Sequence, residues 1–571
     1  MFSSRKIDFA VLLAVCFVAF WWRLGMLGLI DPDEPFYAQT AREMVQSGDW
    51  VTPQIYGAPQ FEKPILYYWL VAGSFRALGE TEFAGRMPTA LFATALVLLV
   101  WAFGARVWNA RTGFLAALVL ATGVEFCIMS RLMLTDVPLA AFLAAALFCY
   151  WLAVREPERR DRWMFWHLVF AGLAVLTKGP LGSIVTVMAT VVFSLGTKRP
   201  LLFRGRGFWW GVVAYAVIVG PWYGAMFAWH AKPFWEEFFY RDNWLRMFVA
   251  EHPSNNHVWY YAGLLLLGSL PWMPAVALTV WRMWGRLRAD EAVFFQWCWL
   301  LTSLIFLTAA QSKLPSYAFY LFVPLAMLVG RTLDELLECG FASIVERWIV
   351  MGFAFFQCTV VGLLAVVAFF EVVPAGSSGW FVGKIASLTK TLRPFDVPVL
   401  LVFAGLAVSL VFLLRKNLTA WLLASSTASL GLLAGALTAA LPAVEAESSA
   451  RPVAQVLMQA RKGDEPMLTG KFLARGIIFY THADVRGEQP DVRILAKQKQ
   501  PFWAEHPIKV VVWKKELREF LKDHPTALCA LRRGEWQAFD EEDAFTARDG
   551  FAEFGENVVV RALRGSAEPA K

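Results

Sequence analysis

Six short stretches set acids and cations where an apolar chain meets water. "DPDEPFYAQTAREM" (31–44) puts Asp33 and Glu34 just beyond the apolar segment 9–30, and "FEKPILYYWL" (61–70) adds Glu62 and Lys63. "RLMLTDVP" (131–138) carries Arg131 and Asp136, "LTKGP" (176–180) carries Lys178, and "QSKLPSY" (311–317) carries Lys313 and Tyr317. The aromatic-rich segment 229–261 contributes Arg241, Arg246, His252 and His257. A carboxylate held partly desolvated at a membrane boundary can take the proton of an attacking hydroxyl or amine. Cations at headgroup depth can hold a lipid phosphate as it leaves. Together these residue types suit group transfer at a lipid phosphate.

Each stretch also has a structural role open to it. Asp33 can be the N-cap and Glu34 a first-turn acid of a helix over 35–46 that ends near Gly48. Ala38, Ala41, Met44 and Val45 would then form a narrow apolar stripe lying on the membrane surface. Glu62 and Lys63 can be a surface ion pair ahead of an interfacial helix begun by Pro64, although Tyr67, Tyr68 and Trp69 set them at headgroup level. Lys178 can snorkel to the interface, with Arg131 paired to Asp136. A lone histidine in such a loop is ordinarily solvated.

The elements that must position these residues follow from hydropathy. The chain has 571 residues, is 58% hydrophobic, carries only 17% charged residues and has 27 tryptophans. That composition belongs to a polytopic membrane protein. Its net charge of +7 is to be read by side of the membrane and excludes no partner by itself; it is no nucleic-acid patch. A bilayer needs about 20 apolar residues per helix, and on that measure the sequence predicts about thirteen spans. They fall near 7–29, 88–108, 112–130, 136–154, 164–178, 181–196, 209–228, 258–281, 292–310, 316–330, 348–371, 397–414 and 418–440. Arg5-Lys6 before the first of them resembles a leader, but the run is long and lacks a small-residue cleavage site, so it is expected to remain as a span.

With the N-terminus cytoplasmic, the cation-rich loops fall inside: Arg155 with Arg159, Arg160 and Arg162; Lys198 with Arg199, Arg204 and Arg206; Arg282 with Arg286 and Arg288; Arg415 with Lys416. The same alternation sends 30–87, 131–135, 178–180, 229–257, 311–315 and 372–396 outside. Every candidate residue above thereby falls on one membrane face. Asn417-Leu-Thr matches a glycosylation acceptor but sits on the cytoplasmic side and is read as chance. The expected organisation is an all-α transmembrane domain over 1–440 and a small extracytoplasmic α/β domain over 441–571. In the latter, Val453, Val456, Leu457 and Ala460 follow helical spacing, "IKVVVW" (508–513) reads as a buried strand and "KKELREFLKDH" as a helix. The seven cysteines show no metal-type spacing, and no structural disulfide is expected.

The order of motifs, "DPDEPFYAQTAREM", "SGDWVTPQIYGAPQFEKPILYYW", "EFAGRMPTALFA", "RLMLTDVPL", "LTKGP" and "SKLPSYAF", resembles the bacterial membrane glycosyltransferases related to lipid A aminoarabinose transferase and, more distantly, protein O-mannosyltransferases. The likeness is dense over 30–90, recurs in short motifs to about 330 and fades beyond. It implies a GT-C fold in the bacterial inner membrane. It implies transfer of a sugar, with inversion, from a polyprenyl-phosphate donor to an envelope acceptor such as lipid A on the outer face. On this resemblance Asp33 is the catalytic carboxylate, Asp136 a second acidic position and Glu34 its neighbour. Lys63 and Lys178 fall on cations associated with donor-phosphate binding, Tyr317 on the tyrosine of the SKLP-x-Y segment and Arg246 on a basic residue of the fourth outer loop; Arg131 and Lys313 join them as candidate phosphate ligands on the residue reading alone. Glu62 and His252, preferred to His257, fall on residues associated with a divalent metal, for which zinc is the expectation.

Two departures stand out: Phe36 and Ile65 occupy positions where the aminoarabinose transferases carry arginine and proline. The alternative is a transporter or flippase of lipid-linked substrates. Transporters set ionisable groups and broken helices near the midplane, whereas here they lie in outer loops and at span ends, which favours an enzyme.

Overall fold

The computed structural model describes residues 5–199, 202–251, 253–285, 289–369, 396–482, 491–496, 508–512, 516–540, 547–554 and 556–563. The chain divides into two compact units: Met1–Leu24, Phe61–Tyr67 and Met87–Ala439 form one, and Gly25–Gln60, Tyr68–Arg86 and Ala440–Lys571 the other. The last segment of the second unit begins at Ala440. Most of the first outer loop, assigned from sequence to the transmembrane part, groups with the C-terminal domain instead.

The first unit is helical. Among the described residues eight helices are long and apolar enough to cross a membrane, or nine if Tyr260–Gly268 and Met273–Met283, bent by 120°, count as one span. The difference from thirteen has local causes. The span expected at 7–29 is the helix Arg5–Cys16 followed by a π-helical turn Phe17–Trp21, and Arg23 then takes φ +57° and ends it. The span expected at 112–130 is split at Gly123 into Ala110–Thr122 and Val124–Met129. Arg160–Lys178 begins with Arg160, Asp161 and Arg162, which leaves its apolar part short. Pro271, with no N–H to donate, lies at the break of the bent pair. Arg286, Arg288 and nearly all of 372–396 lie outside the described residues.

Small residues let these helices approach closely, as bundles in lipid require. A Cβ on Gly104 would stand 2.8 Å from the Gly113 Cα, and one on Gly330 would stand 2.5 Å from the Ala116 nitrogen. Charges along the helices are paired, because an unpaired one is expensive there. Asp334 accepts from Thr112 Oγ1 at 2.6 Å and Asn109 Nδ2 at 2.7 Å and pairs with Arg111, while Arg282 meets Glu346 at 2.6 Å. Asn417 serves as an N-cap, its side chain accepting from the Ala420 N–H at 3.1 Å.

The second unit has its own core. Its six-stranded sheet comprises β3 (Met467–Thr469), β4 (Val492–Ala496), β5 (Val510–Val512), β6 (Thr526–Arg532), β7 (Ala547–Phe554) and β8 (Asn557–Leu563); β1 (Gln54–Ile55) and β2 (Ala58–Pro59) form a separate hairpin. The order is β5-β4-β3-β6-β8-β7, parallel from β5 through β6 and antiparallel at β8 and β7. Leu468, Leu495, Val511, Cys529, Leu531, Val558 and Val560 bury one face. The expected helices appear as Arg451–Ala460 and Leu517–Asp523, and the expected strand as β5; Trp513, Lys514 and Lys515 lie outside the described residues. All seven cysteines are free thiols.

Candidate active site

Asp33 opens the helix Asp33–Ser47, which Gly48 ends at φ +73°, a left-handed backbone that glycine adopts without strain. The structure corrects the capping assignment: Pro32 stands at the N-cap, and Asp33 is already helical. Glu34 is the side chain that reaches back, accepting from the Ile30 N–H at 2.7 Å. The helix is also no surface helix, since every residue from Glu34 to Arg42 is buried. Phe36 and Tyr37 pack with Tyr68 on one side. Arg42 donates to the Phe479 carbonyl at 2.8 Å and pairs with Glu80 at 2.7 Å. An apolar stripe visible in the sequence faces protein here rather than lipid.

The two adjacent carboxylates have different surroundings. Glu34 is 1% exposed and takes Arg86 Nε at 2.8 Å and Nη2 at 2.5 Å. The same guanidinium donates to the Leu27 carbonyl at 2.6 Å and the Gly28 carbonyl at 2.8 Å. Asp33 is exposed. The buried, bidentate Glu34 carboxylate is tied into the fold, whereas the Asp33 side chain is exposed at the helix N-terminus.

In the first unit, cations from three segments converge near Tyr317 of a fourth. Lys63 Nζ donates to Asp242 Oδ2 at 3.1 Å and to the Glu62 carbonyl at 2.9 Å. Asp242 is also 3.6 Å from Arg246, whose Nη1 donates to Tyr317 Oη at 3.2 Å and whose Nε lies 3.4 Å from Glu251. Lys178 sits 5.0 Å from the centroid of the Tyr317 ring and pairs with Asp136. Lys63 and Arg246 both repel the Lys178 ammonium. Burial is the largest influence and by itself would depress Lys63, but Asp242, Glu62 and Tyr317 together outweigh it and hold the ammonium above its usual range. Lys63 is therefore a firm cation at any physiological pH.

Segments distant in sequence are tied into this cluster through the backbone. The N–H groups of Gln311 and Ser312 donate to the carbonyls of Met247 and Arg246, both at 3.1 Å, fastening the "QSKLPSY" stretch beside Arg246. The Phe61 N–H donates to Glu237 Oε2 at 3.0 Å, anchoring the start of the Lys63 segment on the π-helix Trp235–Leu245. Lys313 has a different setting: its Nζ donates to Asn256 Oδ1 and the Ala310 carbonyl, both at 2.6 Å. Arg131 donates to the carbonyls of Ala19 at 3.1 Å and Trp22 at 2.8 Å, so the partner seen on Asp136 is Lys178 rather than the expected Arg131.

Sequence reasoning missed Asp242 and Arg86. The i,i+4 spacing of Asp242 and Arg246 was a readable signal for a helical pair, but nothing in it pointed to Lys63. Arg86 stood within a quoted motif without a role. For the metal, Glu62 is half-buried beside Lys63 and His252 lies outside the described residues. Among the described residues no three His, Cys, Asp or Glu side chains gather as a metal would need. No step is assigned to a metal.

This architecture matches a solved one. The crystal structure of ArnT from Cupriavidus metallidurans bound to undecaprenyl phosphate aligns over 99% of both chains with a TM-score of 0.73 at 22% identity. In sequence, the undecaprenyl phosphate-alpha-4-amino-4-deoxy-L-arabinose arabinosyl transferase of Pectobacterium carotovorum is 31% identical over 337 residues, 58% of this chain and 60% of that protein. The chain is related to the aminoarabinose transferases and has their GT-C fold. The relative of the same name from Serratia proteamaculans is 28% identical over 426 residues, covering 73% of this chain and 74% of its own. A profile of the family described as dolichyl-phosphate-mannose-protein mannosyltransferase matches residues 9–236. The chain thus spans about three fifths of the length of the Pectobacterium relative. Against this family the Phe36 departure gains a context: the Arg475 guanidinium lies 4.7 Å from the centroid of its ring, a cation–π contact made by the C-terminal domain.

Proposed function

We propose that the protein is an inner-membrane glycosyltransferase that moves a sugar from a polyprenyl-phosphate donor to an envelope acceptor, with lipid A as the first acceptor to test. The observation that carries this reading is the convergence of Lys63, Lys178 and Arg246 around Tyr317. Like charges gathered in a half-buried place repel one another unless an anion joins them, and a phosphate diester that leaves as a monoester gains negative charge as its bond to the sugar breaks. Preorganised cations stabilise that developing charge. Asp136 pairs with Lys178, and Asp242 with both Lys63 and Arg246, which holds all three in place.

In this mechanism the acceptor hydroxyl attacks the anomeric carbon from the face opposite the phosphate, and the carbon–oxygen bond to the lipid phosphate breaks with inversion. Asp33 takes the hydroxyl proton, an assignment supported by its exposure and by the family resemblance. Glu34 and Arg86 keep the helix start in place, and Lys63, Lys178 and Arg246 hold the departing polyprenyl phosphate. The N-terminus is assigned to the cytoplasm and the C-terminal domain to the periplasm, supported by the positive-inside bias of the loops.

The test is mass spectrometry of lipid A from host cells lacking or expressing the wild-type chain. A sugar-sized increment seen only with the wild type would establish the transfer and weigh the donor sugar. Absence of any new glycan on lipid A, other envelope glycans and proteins would sink the reading. At the level of binding, Lys63→Met removes a charged hydrogen-bonding group, about 1.5–3 kcal/mol. Undecaprenyl phosphate is expected to bind the purified variant roughly 10–100-fold more weakly, measured by titration in detergent; unchanged affinity would remove Lys63 from the phosphate site.

A further inference from the structure

The segment carrying Asp33 is held along its backbone by the C-terminal domain, and the contacts concentrate two residues before the carboxylate. The Asp31 N–H donates to the Ser448 carbonyl at 2.8 Å. Its carboxylate accepts from the Ala450 N–H and the Gly476 N–H, one per oxygen, each at 2.8 Å. Asp31 is 4% exposed. Just upstream, the Leu29 N–H donates to Tyr480 Oη at 2.7 Å, and Tyr480 in turn donates to Glu82 at 3.0 Å. Arg451 donates to the Met26 carbonyl at 2.8 Å and pairs with Glu82 at 2.9 Å and with Glu445. On the far side of Asp33, Arg475 stacks on Phe36 and Arg42 caps the Phe479 carbonyl.

Such density of buried polar bonds exceeds what tethering a domain needs. Each buried donor and acceptor must find its partner at the correct place, so the network specifies one conformation of 26–36 rather than merely holding it close. Gly476 shows how tight the fit is: a Cβ there would stand 2.4 and 2.5 Å from the two Asp31 oxygens. Asp33 is exposed, on the first turn that the network orients.

We infer that Asp31 is a positioning residue: clasped by Ala450 and Gly476 of the C-terminal domain, it sets the place and direction of the Asp33 carboxylate, which makes that domain part of the catalytic apparatus. The inference rests on the reading of Asp33 as the base and deepens it. The domain need not touch substrate. Its contribution is geometric, and a misplacement of about 1 Å in a reacting group lowers rate by about 100-fold.

The experiment compares purified full-length wild type, Asp31→Asn, Gly476→Ala and Asp33→Asn. It uses undecaprenyl-phosphate-linked 4-amino-4-deoxy-L-arabinose as donor and lipid A as acceptor, and measures kcat, KM for the donor, and affinity for undecaprenyl phosphate. Asp31→Asn places an amide N–H against a backbone N–H and is expected to lower kcat about 100-fold; Gly476→Ala, which keeps the Asp31 carboxylate but pushes it aside, about tenfold. Donor KM and undecaprenyl phosphate affinity should stay within about twofold, because none of the changed residues is among the phosphate-holding cations. Should Asp31→Asn fail to fold, Gly476→Ala carries the test, since alanine is a better helix former than glycine in Lys471–Thr481. Wild-type kcat in folded Gly476→Ala, or a loss of kcat matched by an equal loss of donor affinity, would overturn the positioning role. Asp33→Asn with wild-type kcat would overturn the base reading, and the clasp with it; Asp33→Asn inactive beside fully active clasp variants would remove the clasp alone.

Discussion

Asp33→Asn is expected to fold and bind undecaprenyl phosphate as the wild type does and to transfer sugar about 10²–10⁴-fold more slowly, the usual contribution of a positioned base. Folding should survive because the Asp33 side chain is exposed and Pro32 stands at the N-cap. An amide at the first turn gives up at most the modest benefit of a negative charge at the helix N-terminus, about 0.3–1 kcal/mol. Binding should survive because the phosphate is assigned to Lys63, Lys178 and Arg246. The measurement is single-turnover transfer with separately determined donor affinity, so that a chemical defect is not mistaken for a binding one. Full-rate transfer would move the base role elsewhere, with Asp136 the next carboxylate to test even though it is already paired with Lys178.

Arg86→Met should be the most destabilising single change in the second unit. The guanidinium is 2% exposed and makes four close contacts, two to Glu34 and one each to the Leu27 and Gly28 carbonyls. Removing it strands a buried carboxylate and two carbonyls, and breaking a buried pair from one side costs about 3–5 kcal/mol. Thermal unfolding in detergent should show a large drop for Arg86→Met, and the double variant Glu34→Leu with Arg86→Met should recover part of it, since an apolar pair leaves no uncompensated charge. A single variant as stable as the wild type would mean that Glu34 finds another partner and that the ion pair does not secure the helix start.

The contrast between Asp33 and Glu34 shows where sequence reading stops. Both are acids at one helix start; only the placement of Arg86, 52 residues on, ties Glu34 into the fold, while the Asp33 side chain is exposed. The same holds for Lys63. Its depth beside an aromatic belt marked it as a phosphate ligand, but the Asp242 that keeps it charged lies 179 residues away in a stretch whose pattern gave no hint of the meeting. The expected surface stripe on Asp33–Ser47 misled because amphipathicity says that a face is buried and is silent about what covers it. The C-terminal domain covers it here, through bonds that span over 400 residues of chain.

What the sequence determined by itself is what depends on each segment alone. Transfer of a side chain into lipid is nearly independent of its distant neighbours, so summed hydropathy identified a polytopic membrane protein. Charge asymmetry of the loops gave the expectation that the candidate acids and cations share one face, and period and turn residues found the helices and the strand of the tail. What only the tertiary structure decided is which charge meets which: Lys178 with Asp136, Lys63 with Asp242, Arg86 with Glu34, Asp31 with the N–H groups of Ala450 and Gly476. Those pairings fall off within a few ångströms, and chain separation carries no information about such distances until the packing of the whole unit has fixed them.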